Sequence, residues 1–174
     1  MSQENETLAE QLKGGGHAPP RPSLPNIAYA WLGSAIAIGL LAWLTETSHT
    51  LFIMGSFGAS CVLVFGFPRF PLSQPRNVIG GHLLASFIGL LFLKLFGPTW
   101  WSLALALATL IALMLYTRTA HPPGGANVLI VMATQPNWDF LFTPTLVGAV
   151  ILVLVGLVSN NIGHGRSYPA YWIG

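Results

Sequence analysis

Charged side chains are scarce in this sequence: only 7% of its 174 residues are Asp, Glu, Lys or Arg, whereas 53% are apolar. A soluble domain carries roughly 25% charged residues, so this composition excludes an ordinary water-soluble fold. The formal net charge of +2 is too small to indicate a nucleic-acid partner. The composition therefore predicts an integral membrane protein that contacts lipid and binds no nucleic acid.

Cysteine is nearly missing too, and so are pairs of metal-binding histidines and carboxylates within the apolar segments. The single Cys61 lies in an apolar run, so no disulfide can form within the chain. No two histidines show the His-x-x-x-His spacing of a metal site. Apart from Glu46, the apolar segments contain no carboxylate that could complete a catalytic triad. We therefore expect no metal, no cofactor and no enzymatic activity.

The chain consists of a polar tail followed by six apolar segments. Residues 1–25 are polar and are expected to be disordered, and residues 26–174 are predicted to form one transmembrane domain. A helix that crosses a hydrocarbon layer of about 30 Å needs about 20 residues, so the fifth segment is too short and the second is borderline. The six segments lie at about 27–45, 51–67, 78–96, 100–117, 122–134 and 142–161.

The positions of the basic residues favour six crossings over four. If all six segments cross and the N-terminus is cytoplasmic, Arg69, Arg76 and Arg118 lie at the cytoplasmic mouth. This arrangement agrees with the tendency of Lys and Arg to stay on the cytoplasmic side. If the second and fifth segments were re-entrant instead, Arg69 and Arg76 would lie outside.

The two halves of the chain resemble each other. Shifted by 67 positions, GASCVLVF at 58–65 aligns with GANVLIVM at 125–132. Three crossings in each half would give the halves opposite orientations, which is an inverted repeat. The alternative is that helices rich in Gly, Ala and Val resemble one another by composition alone. The predicted fold is thus an all-α integral membrane protein with six transmembrane segments in a 3+3 inverted repeat.

Helix breakers stand where the second and fifth segments begin. The prolines that follow His121 favour the first turn of a helix and disfavour a helical His121, so a half-helix is predicted at about 123–133. The repeat predicts another half-helix at about 57–67, with Ser56 as its N-cap. The two N-termini would meet near the middle of the bilayer and offer their backbone amides to an anion.

Polar and small residues around these breaks form the candidate anion pathway. Glycines would let an anion approach the backbone, and hydroxyl, amide and imidazole groups would line the path. A purely structural role, in close helix packing or in hydrogen bonds between helices, is the alternative for each of them. The candidate residues are Ser56, Gly58, Ser60, His82, Thr119, His121, Gly124, Gly125 and Asn127.

The motif AHPPGGAN at 120–127 resembles the signature of the HPP family of integral membrane proteins. GSFGAS at 55–60, PLSQPRNVIGGHLLASFIG at 71–89 and RSYPAYW at 166–172 are similar to the same family in the same order. The resemblance implies nitrite as the substrate, since similar proteins of plastids and cyanobacteria are associated with nitrite transport. It also implies the inner or plasma membrane of a bacterium or cyanobacterium, or the plastid envelope.

The sequence therefore predicts a channel or transporter for a small inorganic anion, with nitrite as the leading candidate. A cation carrier would normally place Asp or Glu inside the membrane. A membrane scaffold or partner subunit that transports nothing is the alternative, although it leaves the proline and glycine breaks unexplained; an intramembrane enzyme is a weaker one. Two half-length segments give a thin wall around any cavity, so a homo-oligomer is expected.

Overall fold

The computed structural model describes residues 12–13, 16–162 and 165–173. Most of the tail that was predicted to be disordered lies outside the described residues, and residues 16–23 are exposed and non-helical. The described residues that follow are mainly helical, and they contain no strand. The six α-helices, labelled α1 to α6 in chain order, are Leu24–Ser48, Gly55–Cys61, Pro75–Phe96, Trp100–Tyr116, Gly125–Thr134 and Val147–Ile162.

Among the described residues, three helices are long and apolar enough to cross a membrane. They are α1, α3 and the run Trp138–Ile162, which leads into α6 and includes it. Helix α4 has 17 residues. At a rise of 1.5 Å per residue it is about 25 Å long, slightly less than a hydrocarbon layer. The predicted all-α fold with apolar helices is thus confirmed.

The second and fifth apolar segments form the two shortest α-helices. Helix α2 has 7 residues and continues as a wider π-helical turn over Val62–Gly66. Helix α5 has 10 residues and follows a 3-10 turn at Pro122–Gly124. The backbone is extended just before each of these segments, at Met54 and at His121. Extended chain followed by a short helix therefore occurs in both halves of the sequence.

The predicted N-cap of α2 is wrong. The helix begins at Gly55 with Met54 as its N-cap residue, and no side chain caps it. The chain leaves the extended conformation at Met54, where φ is −123° and ψ is 142°. Ser56 therefore lies inside the first turn, where its Oγ is buried without a hydrogen-bond partner.

Helix α3 occupies the centre of the bundle. In its most apolar stretch of 18 residues, 50% of the residues are buried, whereas only 17% are buried in the corresponding stretch of α1. It packs against α4, α5 and α6, whereas α1 packs against α6 and the end of the second segment. Gly89 on α3 allows α5 to approach α3 closely, because a Cβ on Gly89 would lie only 3.3 Å from the Cα of Val128 on α5. Helix α3 is therefore the element around which side chains from the other helices converge.

Gly124, which was predicted to expose backbone to an anion, contributes to this close packing. A Cβ at Gly124 would lie 3.0 Å from the carbonyl oxygen of Gly81 on α3. Gly81 in turn faces the chain before α5, and its own Cβ would lie 2.6 Å from the Cβ of His121. For Gly124 the structure thus favours the packing role that was the alternative.

The C-terminal residues 165–173 fold back over the connection between α2 and α3. The Tyr168 hydroxyl donates a hydrogen bond to the Ser73 carbonyl at 3.0 Å, and the Ala170 amide donates to Gln74 Oε1 at 2.7 Å. Burial raises the pKa of the Tyr168 phenol, so this group stays protonated and remains a donor. The C-terminal segment is thereby fixed beside the start of α3.

Two of the three basic residues predicted at the cytoplasmic mouth hold this segment in place. Arg69 donates to the Gly165 carbonyl at 3.1 Å, and Arg76 donates to the Ile173 carbonyl at 2.7 Å. Arg118 is exposed, and its side chain makes no hydrogen bond to the residues that the structure describes. Of the three, Arg118 is therefore the one that takes no part in fixing the C-terminal segment that the structure describes.

Replacing Arg166 with methionine is expected to loosen the C-terminal segment. Its guanidinium donates to the Phe65 carbonyl at 2.7 Å and to the buried Asn160 side chain, and each acceptor left unpaired costs about 1–3 kcal/mol. Chymotryptic cleavage after Tyr171 should therefore become roughly tenfold faster, since 1.4 kcal/mol corresponds to a factor of ten. The control is Arg118→Met, which should leave the cleavage rate unchanged. Equal rates in the two variants would contradict the anchoring role.

Candidate functional site

Six polar side chains meet in the interior of the bundle, and we call them the histidine cluster. They come from α2, α3, the chain before α5, α5 itself and the chain before α6. Each of these side chains is fully buried. The members are Ser60, His82, Ser86, His121, Asn127 and Thr145.

Ser60 on α2 is the hub of the cluster. Its Oγ lies 2.9 Å from Nε2 of His82 and 2.8 Å from Nε2 of His121. The same oxygen also lies 2.9 Å from the carbonyl oxygen of Ser56, one turn earlier in the helix. One hydroxyl thus joins two imidazole rings that are separated by 39 residues in the sequence (121 minus 82). The sequence predicted all three side chains as pathway residues, and the structure brings them together.

The extended backbone at His121, with φ at −144° and ψ at 92°, directs its ring into the cluster. Proline at the next position disfavours a helical conformation here, so the ring cannot take the position it would have on a continuous helix. Its Nδ1 lies 2.8 Å from the carbonyl oxygen of Leu72, in the connection before α3. Both ring nitrogens therefore have a partner, one on each side of the cluster.

The inner end of the cluster contains Ser86 and Thr145, which the sequence analysis did not predict as site residues. Asn127 Nδ2 donates to the Ser86 hydroxyl at 2.9 Å, and that hydroxyl lies 2.9 Å from Thr145 Oγ1. Ser86 could have been found, because it follows His82 by four residues and must share its helix face. Thr145 carries no such signal, since no polar residue one helical turn away in the sequence points to a shared face.

Three buried polar atoms in and beside the cluster have no hydrogen-bond partner among the residues that the structure describes: Ser56 Oγ, His82 Nδ1 and Asn127 Oδ1. The Asn127 side chain is close enough to interact with the His82 ring, but no well-formed hydrogen bond joins Nδ1 to Oδ1. A buried polar atom without a partner costs about 1–3 kcal/mol, so such groups are rare in a purely structural core. These atoms are the ones that remain available to bind a ligand or to exchange a proton.

The two histidine rings pack against each other, and one of them also packs against a phenylalanine. The His82 and His121 rings pack edge to face with their centroids 5.0 Å apart, and Phe57 packs against His82 at the same distance. The cluster includes no Asp, Glu, Lys or Arg, and in the described part of the chain none of these residue types is hydrogen-bonded to it. An anion entering here would therefore meet no fixed negative side chain of the described residues.

Other predicted pathway residues lie outside the cluster. Gly58 is exposed, with no atom within 4 Å of a Cβ placed on it. Thr119 is partly buried, and its hydroxyl lies 2.7 Å from that of Thr117. Gly125 is also partly buried, and its Cβ would contact Leu107 at 3.6 Å. These three residues are therefore not part of the histidine cluster.

Free amides at the start of α5 were predicted to bind the anion, and this prediction is wrong. Pro122 and Pro123 have no N–H group. The Gly124 amide donates to the His121 carbonyl at 2.9 Å, and the Gly125 amide donates to the Pro122 carbonyl. The first turn therefore has no unpaired N–H to offer. Side chains, rather than backbone amides, are the available donors at this end of the site.

The cluster extends from one end of α3 towards its middle. His82 follows Pro75 by seven residues, which corresponds to about 10 Å, or two helical turns, along the helix. Ser86 lies one turn further, near the midpoint of α3. The polar side chains therefore occupy the half of the bundle that is closer to the connection between α2 and α3.

Comparison with known proteins places this architecture in a family. The family model described as "HPP, transmembrane region" matches residues 19–169. Two transmembrane proteins of Dictyostelium discoideum are similar to the chain. One is 38% identical over 94% of this chain and 56% of its own length, and the other is 40% identical over 91% and 60%.

The chain thus spans less than two thirds of the length of these relatives. Their names describe them as transmembrane proteins and give no substrate. No solved structure matches the chain. The family match, the names of the relatives and the apolar helices together show a membrane protein.

Proposed function

Because the chain belongs to the HPP transmembrane family, we propose that it is a channel or transporter that moves a small inorganic anion across a membrane, with nitrite as the leading candidate. The observation that carries this proposal is the histidine cluster. It is a set of fully buried donors within the bundle, and it contains no carboxylate. Buried ionisable groups in a membrane protein are rare and usually serve transport or proton transfer.

Nitrite suits the chemistry of this cluster. It is a small planar anion that accepts hydrogen bonds through its oxygens and its nitrogen, so it needs several donors within a small volume. Imidazole, hydroxyl and carboxamide groups supply such donors without a permanent charge that would hold the anion too tightly. Ser56 Oγ, which is buried without a partner, lies one turn from Ser60 and can supply a further donor.

The proposed path runs past Ser60, in the last turn of α2, and past His121, which lies just before α5. Each half of the chain contains, in order, a long helix, an extended stretch, a short helix and another long helix. This order supports a 3+3 inverted repeat in which α2 and α5 each cross only part of the bilayer and meet near its midplane. Since the cluster is fully buried, transport requires the bundle to open towards each side in turn.

Purified protein in liposomes provides the direct test. Uptake of nitrite, nitrate and chloride would be compared with uptake by vesicles without protein. We expect nitrite flux well above this background, and a smaller flux of the larger nitrate ion. Absence of flux for all three anions, from protein that elutes as one species before reconstitution, would overturn the proposal. The remaining candidate would then be a scaffold or partner subunit, for which the same hydrogen bonds would only link helices.

Neutralising Arg118 is expected to weaken the attraction of anions to the inner mouth. Arg118→Gln should raise the apparent KM for nitrite about threefold or more with little change in maximal rate, because a surface charge concentrates the anion but takes no part in its passage. The difference should disappear at high salt, since charges separated by more than about 10 Å are screened already at 0.1 M ionic strength. A matched control is Arg21→Gln in the exposed tail. A change confined to the maximal rate would contradict this role.

A further inference from the structure

The surroundings of Ser60 Oγ restrict where the protons of the histidine cluster can lie. This oxygen has three neighbours within 2.9 Å: the carbonyl oxygen of Ser56, Nε2 of His82 and Nε2 of His121. A serine hydroxyl has one hydrogen to donate and two lone pairs to accept with. A carbonyl oxygen can only accept. Each protonation state of the rings therefore specifies which way the Ser60 hydrogen points.

With both rings neutral, one arrangement satisfies both contacts between Ser60 and the rings. His121 Nδ1 lies 2.8 Å from the Leu72 carbonyl, so the hydrogen of this ring is on Nδ1 and its Nε2 must accept. Ser60 then donates to His121, and the Nε2–H of His82 donates to Ser60. Only the contact between Ser60 and the Ser56 carbonyl lacks a hydrogen in this state.

With one extra proton on Nε2 of His121, the same positions of the heavy atoms are again satisfied. Both rings now donate to the two lone pairs of Ser60, and its hydroxyl hydrogen turns to the Ser56 carbonyl at 2.9 Å. The cluster therefore accommodates one additional proton through rotation of a single O–H bond. This second state is possible because the Ser56 carbonyl can accept the Ser60 hydrogen once neither ring accepts it.

His82 provides the place where a proton can enter. Its Nδ1 is buried and has no hydrogen-bond partner among the described residues. The same is true of Oδ1 of the neighbouring Asn127. A proton that binds Nδ1 forms a new N–H bond, which can donate to Asn127 Oδ1. The Nε2–H of His82 then passes to Ser60 as the Ser60 hydrogen passes to Nε2 of His121. His82 ends neutral with its hydrogen on Nδ1, Ser60 now donates to Nε2 of His82, and His121 carries the positive charge, so one proton has moved across the cluster. This charged state differs from the one above in the tautomer of His82.

The environment of the two rings makes a single charge unfavourable and a pair of opposite charges favourable. No charged side chain of the described residues is hydrogen-bonded to either ring. A proton alone or an anion alone would lose its hydration without compensation, whereas the two together offset each other's charge. The titratable and charged groups on the surrounding elements, besides the two rings, are Tyr29, Glu46, His49, Cys61, Arg69, Arg76, Lys94, Tyr116, Arg118, Asp139, Arg166, Tyr168 and Tyr171.

We propose that each anion crosses together with one proton, which the relay His82–Ser60–His121 carries. This inference rests on the proposed anion transport and specifies its coupling. The transporter is then an electroneutral symporter, because one negative and one positive charge move in the same direction. Acidification of one side should drive the anion to the other side, even against the concentration gradient of the anion.

Reconstituted wild-type protein tests the coupling with nitrite as the probe. Uptake into liposomes would be followed together with the internal pH, under an imposed pH gradient and under a potassium–valinomycin potential. We expect one proton to enter for each nitrite and uptake to rise as the external pH falls. The initial rate should stay the same when the potential changes by about 60 mV, which would change the equilibrium distribution of an uncoupled anion about tenfold. Vesicles without protein correct for diffusion of nitrous acid.

Two outcomes separate this inference from the proposed function. Nitrite flux that follows the membrane potential and moves no protons would overturn the coupling and leave anion transport intact. Absence of flux for every anion would overturn the transport itself.

The Ser60→Ala variant tests the route, because it removes the hydroxyl between the rings and should abolish uptake driven by a pH gradient. Its control is Ser102→Ala on α4, which removes another fully buried serine hydroxyl and should keep the coupling. If the Ser60→Ala variant still takes up nitrite under a pH gradient, with the same number of protons per nitrite as the wild type, the relay does not run through Ser60.

Discussion

Replacing His121 with glutamine is expected to lower nitrite flux about 100-fold or more, the range seen when a positioned acid–base group is lost. Glutamine can form hydrogen bonds in the same place but cannot hold the extra proton. The ring lies between the Ser60 hydroxyl at 2.8 Å and the Leu72 carbonyl at 2.8 Å, so its loss breaks the cluster at one end. Flux in liposomes is the measurement, with His17→Gln in the exposed tail as the matched control.

Folding of the His121→Gln variant must be checked in the same preparation. Elution as a single species in detergent and an unchanged melting temperature would show that the loss of flux is a loss of function. If the folded variant transports nitrite at the wild-type rate, the ring only packs between the helices. That result would favour the structural alternative for the whole cluster.

Adding one methyl group at Gly81 is expected to displace His121 and to destabilise the fold. In Gly81→Ala the new Cβ would lie 2.6 Å from His121 Cβ and 3.0 Å from the Thr119 carbonyl oxygen. Backbone on both sides leaves little room to move, and such overpacking costs about 1–3 kcal/mol. We expect a lower melting temperature and at least a tenfold loss of nitrite flux, since the two rings would no longer share Ser60 at hydrogen-bond distance.

The control for this variant is Gly39→Ala on α1. A Cβ at Gly39 meets no atom within 4 Å, and alanine is favoured over glycine in a helix by about 1 kcal/mol. This variant should therefore be at least as stable as the wild type and should transport normally. Equal behaviour of the two glycine variants would mean that α3 and the chain before α5 are not packed as closely as described.

The sequence predicts the helices well, because their ends depend on local signals. Apolar length and proline position are enough to place α3, which was predicted at 78–96 and runs from Pro75 to Phe96. The same signals place the start of α5 just after His121. The contacts of Arg69 and Arg76 with the C-terminal segment could not be predicted, because these partners lie more than 90 residues away in the sequence.

The candidate site was predicted in four of its six members but not in its chemistry. Ser60, His82, His121 and Asn127 were selected as polar groups in apolar segments, and the fold brings them together. The expectation that free amides bind the anion fails at α5, because its first turn begins with two prolines, which have no N–H group. That limit can be read from the sequence. The role of Ser60 cannot, because it requires two rings from different elements to lie within 3 Å of one hydroxyl oxygen on a third element.

The most direct test of the account is whether an anion meets the two buried imidazole rings. Solid-state NMR of protein labelled with ¹⁵N-histidine and reconstituted in lipid would resolve the ring nitrogens, assigned with His82→Gln and His121→Gln. We predict that nitrite shifts the signals of both buried rings and leaves those of His17 and His49, which are exposed, unchanged. If the signals of His82 and His121 stay where they are at nitrite concentrations that saturate transport, the anion takes another path and the histidine cluster is not its site.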